Sequence, residues 1–261
     1  MALRIRKREV EVVKTHLSSP WASFAAIVLA TIWTIPTLGL FVTSFRPSTG
    51  INSSGWWTVL TNPEFTLTNY SRVLFEGTGA TPPLSLYLLN TFAIVIPSTV
   101  IPITIAIFAA YAIAWFNFKG RNFLFFTIFA LQVIPLQMSL IPLLQLFSGG
   151  LHIGSVTVIP SFGITGTFIP IWLAHTMFGL PLAIFLLHNF IAQLPRELIE
   201  AARVDGADHF KLFRQIILPL SIPAIASFAI FQFLWTWNDL LVALTFGGGK
   251  REIAPLMVRL S

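Results

Sequence analysis

Long apolar runs separated by short polar stretches dominate this chain. Five runs reach the roughly 20 residues that a helix rising 1.5 Å per residue needs to cross a bilayer. They are Trp21 to Thr43, Leu86 to Phe116, Phe123 to Phe147, Phe168 to Ile191 and Ile222 to Leu244. The pattern predicts an all-α, polytopic bundle of transmembrane helices. The second run is long enough to tilt or to protrude. Pro97, Pro102, Pro135, Pro142 and Pro181 lie within or near the spans. Such kinks are tolerated in lipid when neighbouring helices and polar side chains satisfy the freed carbonyls, so the prolines predict a packed bundle.

Two polar stretches break this pattern. Residues 45–85 are rich in turn formers and aromatics but hold too little apolar content for a domain of their own. They are expected to fold as short helices at the mouth of the bundle. The second stretch, EAARVDGADHFKLFRQIILP from Glu200 to Pro219, is helix-prone with a sharp break at Asp205-Gly206. Crossing a bilayer needs no such segment. It predicts two short helices at right angles, offered to a soluble partner. Ala201 and Ala202 are small enough to let a partner backbone approach, and Gly206 permits a turn that a side chain would obstruct. Phe213, Ile216 and Ile217 are placed to anchor the second helix, and Pro219 lacks the N–H needed to carry that helix unbroken into the next span. Glu200 is free to reach a basic residue on a partner. An amphipathic helix lying in the membrane interface is the other reading, but such helices favour Lys and Arg over this pairing of Glu-Ala-Ala with Asp-Gly.

Composition agrees with a membrane protein: 55% of the residues are hydrophobic, 10% are charged, and the mean hydropathy is +0.80. The absence of cysteine excludes disulfides, thiol nucleophiles and Cys-based metal sites. A formal charge of +6 invites a nucleic-acid reading, yet the basic residues are distributed by topology. With the charged N-terminus inside, 11 of the 16 Lys and Arg fall at residues 1–20, 117–122 and 192–221; the other five are Arg46, Arg72, Lys250, Arg251 and Arg259. That asymmetry orients a membrane protein. The chain divides into a cytoplasmic N-terminal segment, 1–20, and a transmembrane domain, 21–261, with an outer loop at 45–85 and a cytoplasmic loop at 192–221. The run after the N-terminal charges is too long for the core of a cleavable signal and reads as a retained span.

The Glu200 segment also resembles the coupling loop of ATP-binding-cassette import permeases. Glu200, Ala201, Ala202, Gly206, Ile216, Leu218 and Pro219 match its spacing, and Asp205, Ala207 and Phe213 match the fuller form found in sugar permeases. The Trp-Asn-Asp run at 237–239 is similar to sugar permeases as well, and GWWTVLTNPEFTLTNY is similar to permeases for α-glucosides. The resemblance implies the type I importer arrangement, with this chain as the maltose-type second permease in the bacterial cytoplasmic membrane. It implies as partners a second homologous permease, two ATPases that carry ATP and Mg, and an extracytoplasmic sugar-binding protein. Trehalose, sucrose, maltose or glucosylglycerol is the expected cargo. Such permeases have six spans, so a sixth is expected beyond the five found here. An ATP-driven permease for a non-sugar solute, or a secondary transporter, is the alternative. The Trp-Asn-Asp run and Asp205-Gly206-Ala207 argue against the first; the second calls for mid-helix charges and inverted repeats.

For a sugar pathway the candidates are Trp235, Trp237, Asn238 and Asp239, late in the fifth run, together with Gln232 and Asn90. Rings suit the apolar face of a pyranose and amides its hydroxyls. On a continuous helix Asp239 would lie about 24 Å beyond Pro223, near the outer edge of the hydrocarbon. The tryptophans are equally explained as interfacial anchors. Asn90, Gln132, Gln137 and Gln232 are each explained as well by hydrogen bonds between helices. Gly247-Gly248-Gly249-Lys250 is not a phosphate loop, because Arg251 stands where Ser or Thr is required. The five histidines show no ligand spacing. No catalytic residue, metal site or nucleotide site is expected in this chain, and no nucleic-acid partner.

Overall fold

The computed structural model describes residues 20–77 and 81–261, which form two compact units. Apart from Pro20, the basic segment expected at 1–20 lies outside the described residues.

The first unit contains helix α1 (Pro20–Ser44), followed by α2 (Ser48–Ser53), a 3₁₀ turn (Trp56–Leu60), α3 (Thr68–Ser71) and a π turn (Arg72–Glu76). α1 is apolar on every face, as a span in lipid requires. Its one buried residue is Gly39, where a Cβ would come within 2.8 Å of the Trp56 indole nitrogen. The short helices close around Arg46. Its guanidinium donates to the carbonyls of Gly50 and Ser54 and to the hydroxyls of Ser54 and Thr58, while Asn69 Nδ2 donates to the carbonyls of Ser44 and Arg46. The expected short helices are therefore present, and a single buried cation organises them.

In the second unit three long helices pack together: α4 (Leu84–Trp115), α7 (Ile169–Ala192) and α10 (Leu218–Trp237). α4 and α7 run in the same sense and α10 runs against them. The crosslinks fix this: Trp172 Nε1 donates to the Ala93 carbonyl, Gln232 Nε2 to the carbonyls of Ser98 and His175, and Tyr111 Oη lies 2.9 Å from His209 Nδ1. Trp115, Ala192 and His209 thus share one end of the bundle. Lys119, Arg121, Arg196, Arg203, Lys211 and Arg214 cluster there, so it is the basic end.

The core divides into three layers. An apolar cluster at the basic end joins Ala110, Tyr111, Leu187, Ile199, Leu212, Phe213 and Ile217. A second, at the opposite end, joins Ile94, Leu140, Phe147, Ile171, Val242 and Phe246. Between them lies a belt of buried polar side chains: Ser98, Thr99, His175, Thr176, Gln232 and Thr236.

Two of the expected spans need correction. The run Phe123–Phe147 is a broken pair, in which α5 (Arg121–Ala130) with a 3₁₀ turn (Leu131–Val133) meets α6 (Leu136–Ser148) at a 100° bend. The break falls at Ile134-Pro135. Proline disfavours helix in the residue before it, and Ile134 accordingly takes ψ 117°. Phe125 packs on His188 near the basic end, Gln132 reaches the Phe178 carbonyl, and Phe147 joins the far cluster. The pair therefore carries the chain from one end to the other. The run Ile222–Leu244 is not continuous either. α10 ends at Trp237, and α11 (Leu241–Phe246) begins after Leu240.

The loop between the third and fourth runs holds a small antiparallel hairpin, β1 (Leu151–Ile153) with β2 (Val156–Ile159), which the sequence pattern did not announce. Among the described residues the other regular elements are helical, ending with α12 (Leu256–Leu260).

Candidate functional site: the exposed corner at the basic end

Between the two long helices α7 and α10 the chain makes α8 (Arg196–Val204) and α9 (His209–Leu212). α8 is amphipathic. Ile199 and Ala202 are buried in the apolar cluster, while Glu200, Ala201, Arg203 and Val204 are exposed. The corner is a firmly capped pair of helix ends. Gly206 takes φ +79°, the Gly206 N–H donates to the Arg203 carbonyl, and the Ala207 N–H donates to the Ala202 carbonyl. This is the left-handed glycine closure of a helix C-terminus, and a Cβ on Gly206 would meet no atom within 4 Å. Backbone conformation alone therefore calls for glycine here. Asp208 then starts α9, its Oδ1 accepting the Lys211 N–H at 2.8 Å. Asp208 was not singled out in the sequence, although an Asp opening an apolar helix is a legible start signal.

The expected second short helix is not separate. α9 passes through a π turn (Phe213–Ile217) directly into α10, and the two make one helix from His209 to Trp237. Pro219 therefore does not break the path. Its ring would press on the carbonyl one turn earlier, and the wide π turn at that level is how the helix absorbs it. Leu218 is half-buried and Pro219 exposed at the start of α10. Phe213 is buried, stacked on Phe108 at 4.9 Å and tilted against Tyr111 at 5.3 Å. His209 completes this anchor, lying edge-on to Phe116 at 4.7 Å. Nothing in the sequence signals the Tyr111–His209 bond, whose partners are 98 residues apart.

Glu200 does not simply project outward. It lines a pocket of about 460 Å³ together with Arg121, Arg196 and Arg203 of its own chain. The outward face of α8 carries instead Glu197, Leu198, Ala201, Val204 and Asp205, all exposed. Val204 is 88% exposed, so this face is uncovered, with apolar side chains beside two carboxylates. Ala207 is half-buried against the core.

The residues expected to line a pathway separate into three groups. Asn90 is buried, and its Nδ2 donates to the carbonyls of Glu252 and Ala254, so it ties down the segment before α12. Trp237, Asn238 and Asp239 sit at the break after α10. Trp237 stacks on Phe233 and meets Phe92 edge-on, and Asn238 Nδ2 donates to the Leu234 carbonyl of its own helix. Asp239 Oδ2 accepts the Val242 N–H at 2.9 Å, which caps α11, and lies 3.8 Å from His175 Nε2. Because α10 stops at Trp237, Asp239 is not carried further along a continuous helix as its spacing implied. Gln232 and Trp235 form the third group. They line a cavity of about 750 Å³ at the bend between α5 and α6, with Gln132, Met138, Met177 and Phe178. Gly179 makes room for Gln232, since a Cβ there would fall 2.6 Å from Oε1. Among the described residues no three His, Asp or Glu converge as a metal would require.

Residues 102–258 match the family model of the binding-protein-dependent transport system inner membrane component. The chain is 50% identical to the osmoprotective compounds uptake permease protein GgtD of Synechocystis, over 91% of this chain and 75% of the relative. It is 55% identical to the α-glucoside transport system permease protein AglG of Rhizobium meliloti over 78% of its length, spanning about half (51%) of that relative. In fold it is similar to a bacterial ABC transporter involved in import of the acidic polysaccharide alginate, with TM-score 0.64 and 20% identity over 93% of this chain and 80% of the other.

Proposed function

The chain belongs to the family of binding-protein-dependent transport system inner membrane components, and we propose that it is the permease subunit of an ATP-driven sugar importer with an α-glucoside as cargo. The cargo reading rests on the name of the α-glucoside permease above, which is identical to this chain at 55% of the aligned positions. Its partners are then a second homologous permease, two ATPases that bind ATP and Mg, and a sugar-binding protein outside. The basic end faces the cytoplasm, as the distribution of Lys and Arg favours.

The observation that carries the proposal is the exposed corner between α8 and α9. It is capped at both ends, anchored beneath by Phe213 and Ile217, and continuous with α10. A partner that grips the uncovered face of α8 therefore moves a helix that also carries Gln232 and Trp235. ATP closure of the two ATPases displaces the corner, and the long helices rock from inward- to outward-facing around the cavity. Docking of the loaded binding protein outside favours the same state, because linkage between the two faces is reciprocal. At the cavity, the amide of Gln132, the unpaired Oε1 of Gln232 and the ring of Trp235 supply the polar atoms and apolar face that a sugar requires.

The test is uptake of labelled α-glucosides, together with ATP hydrolysis stimulated by the binding protein. Gly206→Pro is expected to abolish both while the spans still insert; retention of wild-type uptake would refute the coupling role. Orientation is tested separately. Single cysteines at Asn122 and Asp208 should resist an impermeant thiol reagent added outside intact cells, whereas one at Ser53 should react. Labelling at Asp208 from outside would reverse the topology.

A further inference from the structure

The pocket at the foot of α8 has a chemistry that transport coupling does not use. Three guanidinium groups, from Arg121, Arg196 and Arg203, line it against one carboxylate, Glu200. Among the described residues none of these four makes an ion pair within 4.0 Å. Trp115 Nε1, which belongs to the same lining, is buried and has no hydrogen-bond partner. α5 and α8 both begin at this pocket, with Arg121 and Arg196 as their first residues, and neither start has a side-chain cap. Two helix N-termini thus add uncapped N–H groups and partial positive charge to the arginines. The pocket also sits where two helices long and apolar enough to cross a membrane end, α4 at Trp115 and α7 at Ala192.

We infer that this pocket binds a phosphate group, and that the anionic phospholipid of the surrounding leaflet supplies it. Guanidinium groups recognise phosphate oxygens through paired N–H donors, and an indole N–H adds a further donor. Basic pockets between helices on the cytoplasmic side are suited to lipid headgroups, each cation near the surface adding attraction that salt weakens. Glu200 opposes such an anion, so the pocket couples headgroup occupancy to the helix that forms the exposed corner. The inference takes only the sidedness of the pocket from the function proposed above.

The test measures lipid retention and needs no transport activity. The assembled transporter, purified with its partner subunits, is exchanged into nanodiscs of phosphatidylcholine with or without phosphatidylglycerol. Bound lipid is counted by native mass spectrometry. Wild type should retain phosphatidylglycerol in preference to phosphatidylcholine. Arg121→Gln and Arg203→Gln should each weaken retention about fivefold, and Glu200→Gln should strengthen it. These side chains are exposed or half-buried, and an unchanged elution profile will show that the variants fold. Adding inorganic phosphate separates the sources: no competition assigns the site to the headgroup, whereas displacement by phosphate, without lipid preference, assigns it to the free ion. Equal retention of both lipids with no phosphate effect, or retention unchanged in the arginine variants, overturns the inference. So does loss of an ATPase subunit from those variants with lipid retention intact, since the pocket would then receive a protein carboxylate.

Discussion

Two helix breaks in this protein use the same residue type in the same way and end with opposite exposures. At the basic end Asp208 accepts the N–H of Lys211 and starts α9; at the far end Asp239 accepts the N–H of Val242 and starts α11. Both aspartates act as caps. The difference lies around them. The first break sits on Gly206, whose Cβ position is open to solvent, with an uncovered helix face beside it. The second folds into the bundle, where Asp239 approaches the buried His175 and Trp235 meets the same histidine edge-on at 5.9 Å. A polar motif at a break thus says that the helix ends. Its surroundings decide whether the end is a handle for a partner or a joint within the bundle.

This contrast is tested most severely at the exposed corner. Proline cannot adopt φ +79°, so Gly206→Pro destroys the helix closure. Uptake and stimulated ATP hydrolysis should fall to background, with insertion unchanged on membrane fractionation. Glu200→Lys should also abolish both, because it reverses an exposed charge on α8, the helix that the proposed partner grips. If either variant transported like wild type, the corner would be an ordinary loop. The next largest effect belongs to the buried belt. Gly179→Val drives a branched side chain into Gln232, whose Oε1 would lie 2.6 Å from the new Cβ. Overpacking of this kind costs about 1–3 kcal/mol, and thermal unfolding of the purified assembly should register it. An unchanged midpoint would mean that the belt is loosely packed. At the inner break, Asp239→Ala should cost about 1 kcal/mol as a lost cap, and Asp239→Asn only a few tenths. Equal losses for the two would show that the charge beside His175 matters more than the cap.

The sequence made the long helices legible because lipid imposes a length that few other environments require. Three of the four intact spans fall within a few residues of their apolar runs; the fourth, His209–Trp237, begins well before Ile222 and stops short of Leu244. The broken span was harder to see. Pro135 was visible, but apolar content continues across it, and hydropathy does not respond to a backbone that turns by 100°. The corner was legible as a break because Asp205-Gly206 interrupts a periodic helix. The continuity from α9 into α10 was not, since a π turn leaves no compositional mark. Asn90 shows the limit most clearly. An amide at the start of a span suits a pathway by type, yet its partners are backbone carbonyls 162 and 164 residues away. Every residue has such carbonyls, so no pattern in the chain points to them. Gln232 and Trp235 were named by type, and the cavity that joins them to Gln132 required the bend between α5 and α6.

The smallest effect sharpens the comparison from the other side. Asn238 is exposed, and its Nδ2 donates 2.7 Å to the Leu234 carbonyl at the end of its own helix. That bond closes a helix end that solvent can also reach, so its loss should change stability by less than about 0.5 kcal/mol. Asn238→Ala should therefore leave the melting temperature of the assembly nearly unmoved. Transport then becomes a clean readout, because folding is not at stake. If Asn238 contacts cargo or forms part of its gate, uptake should fall while basal ATP hydrolysis and subunit assembly remain intact. If uptake is unchanged, Asn238 only closes α10, and the amides that meet the sugar are those at the cavity, Gln132 and Gln232. Gln132→Ala should then impair uptake where Asn238→Ala does not. That ordering would place the pathway at the bend in the broken span and away from the break after α10.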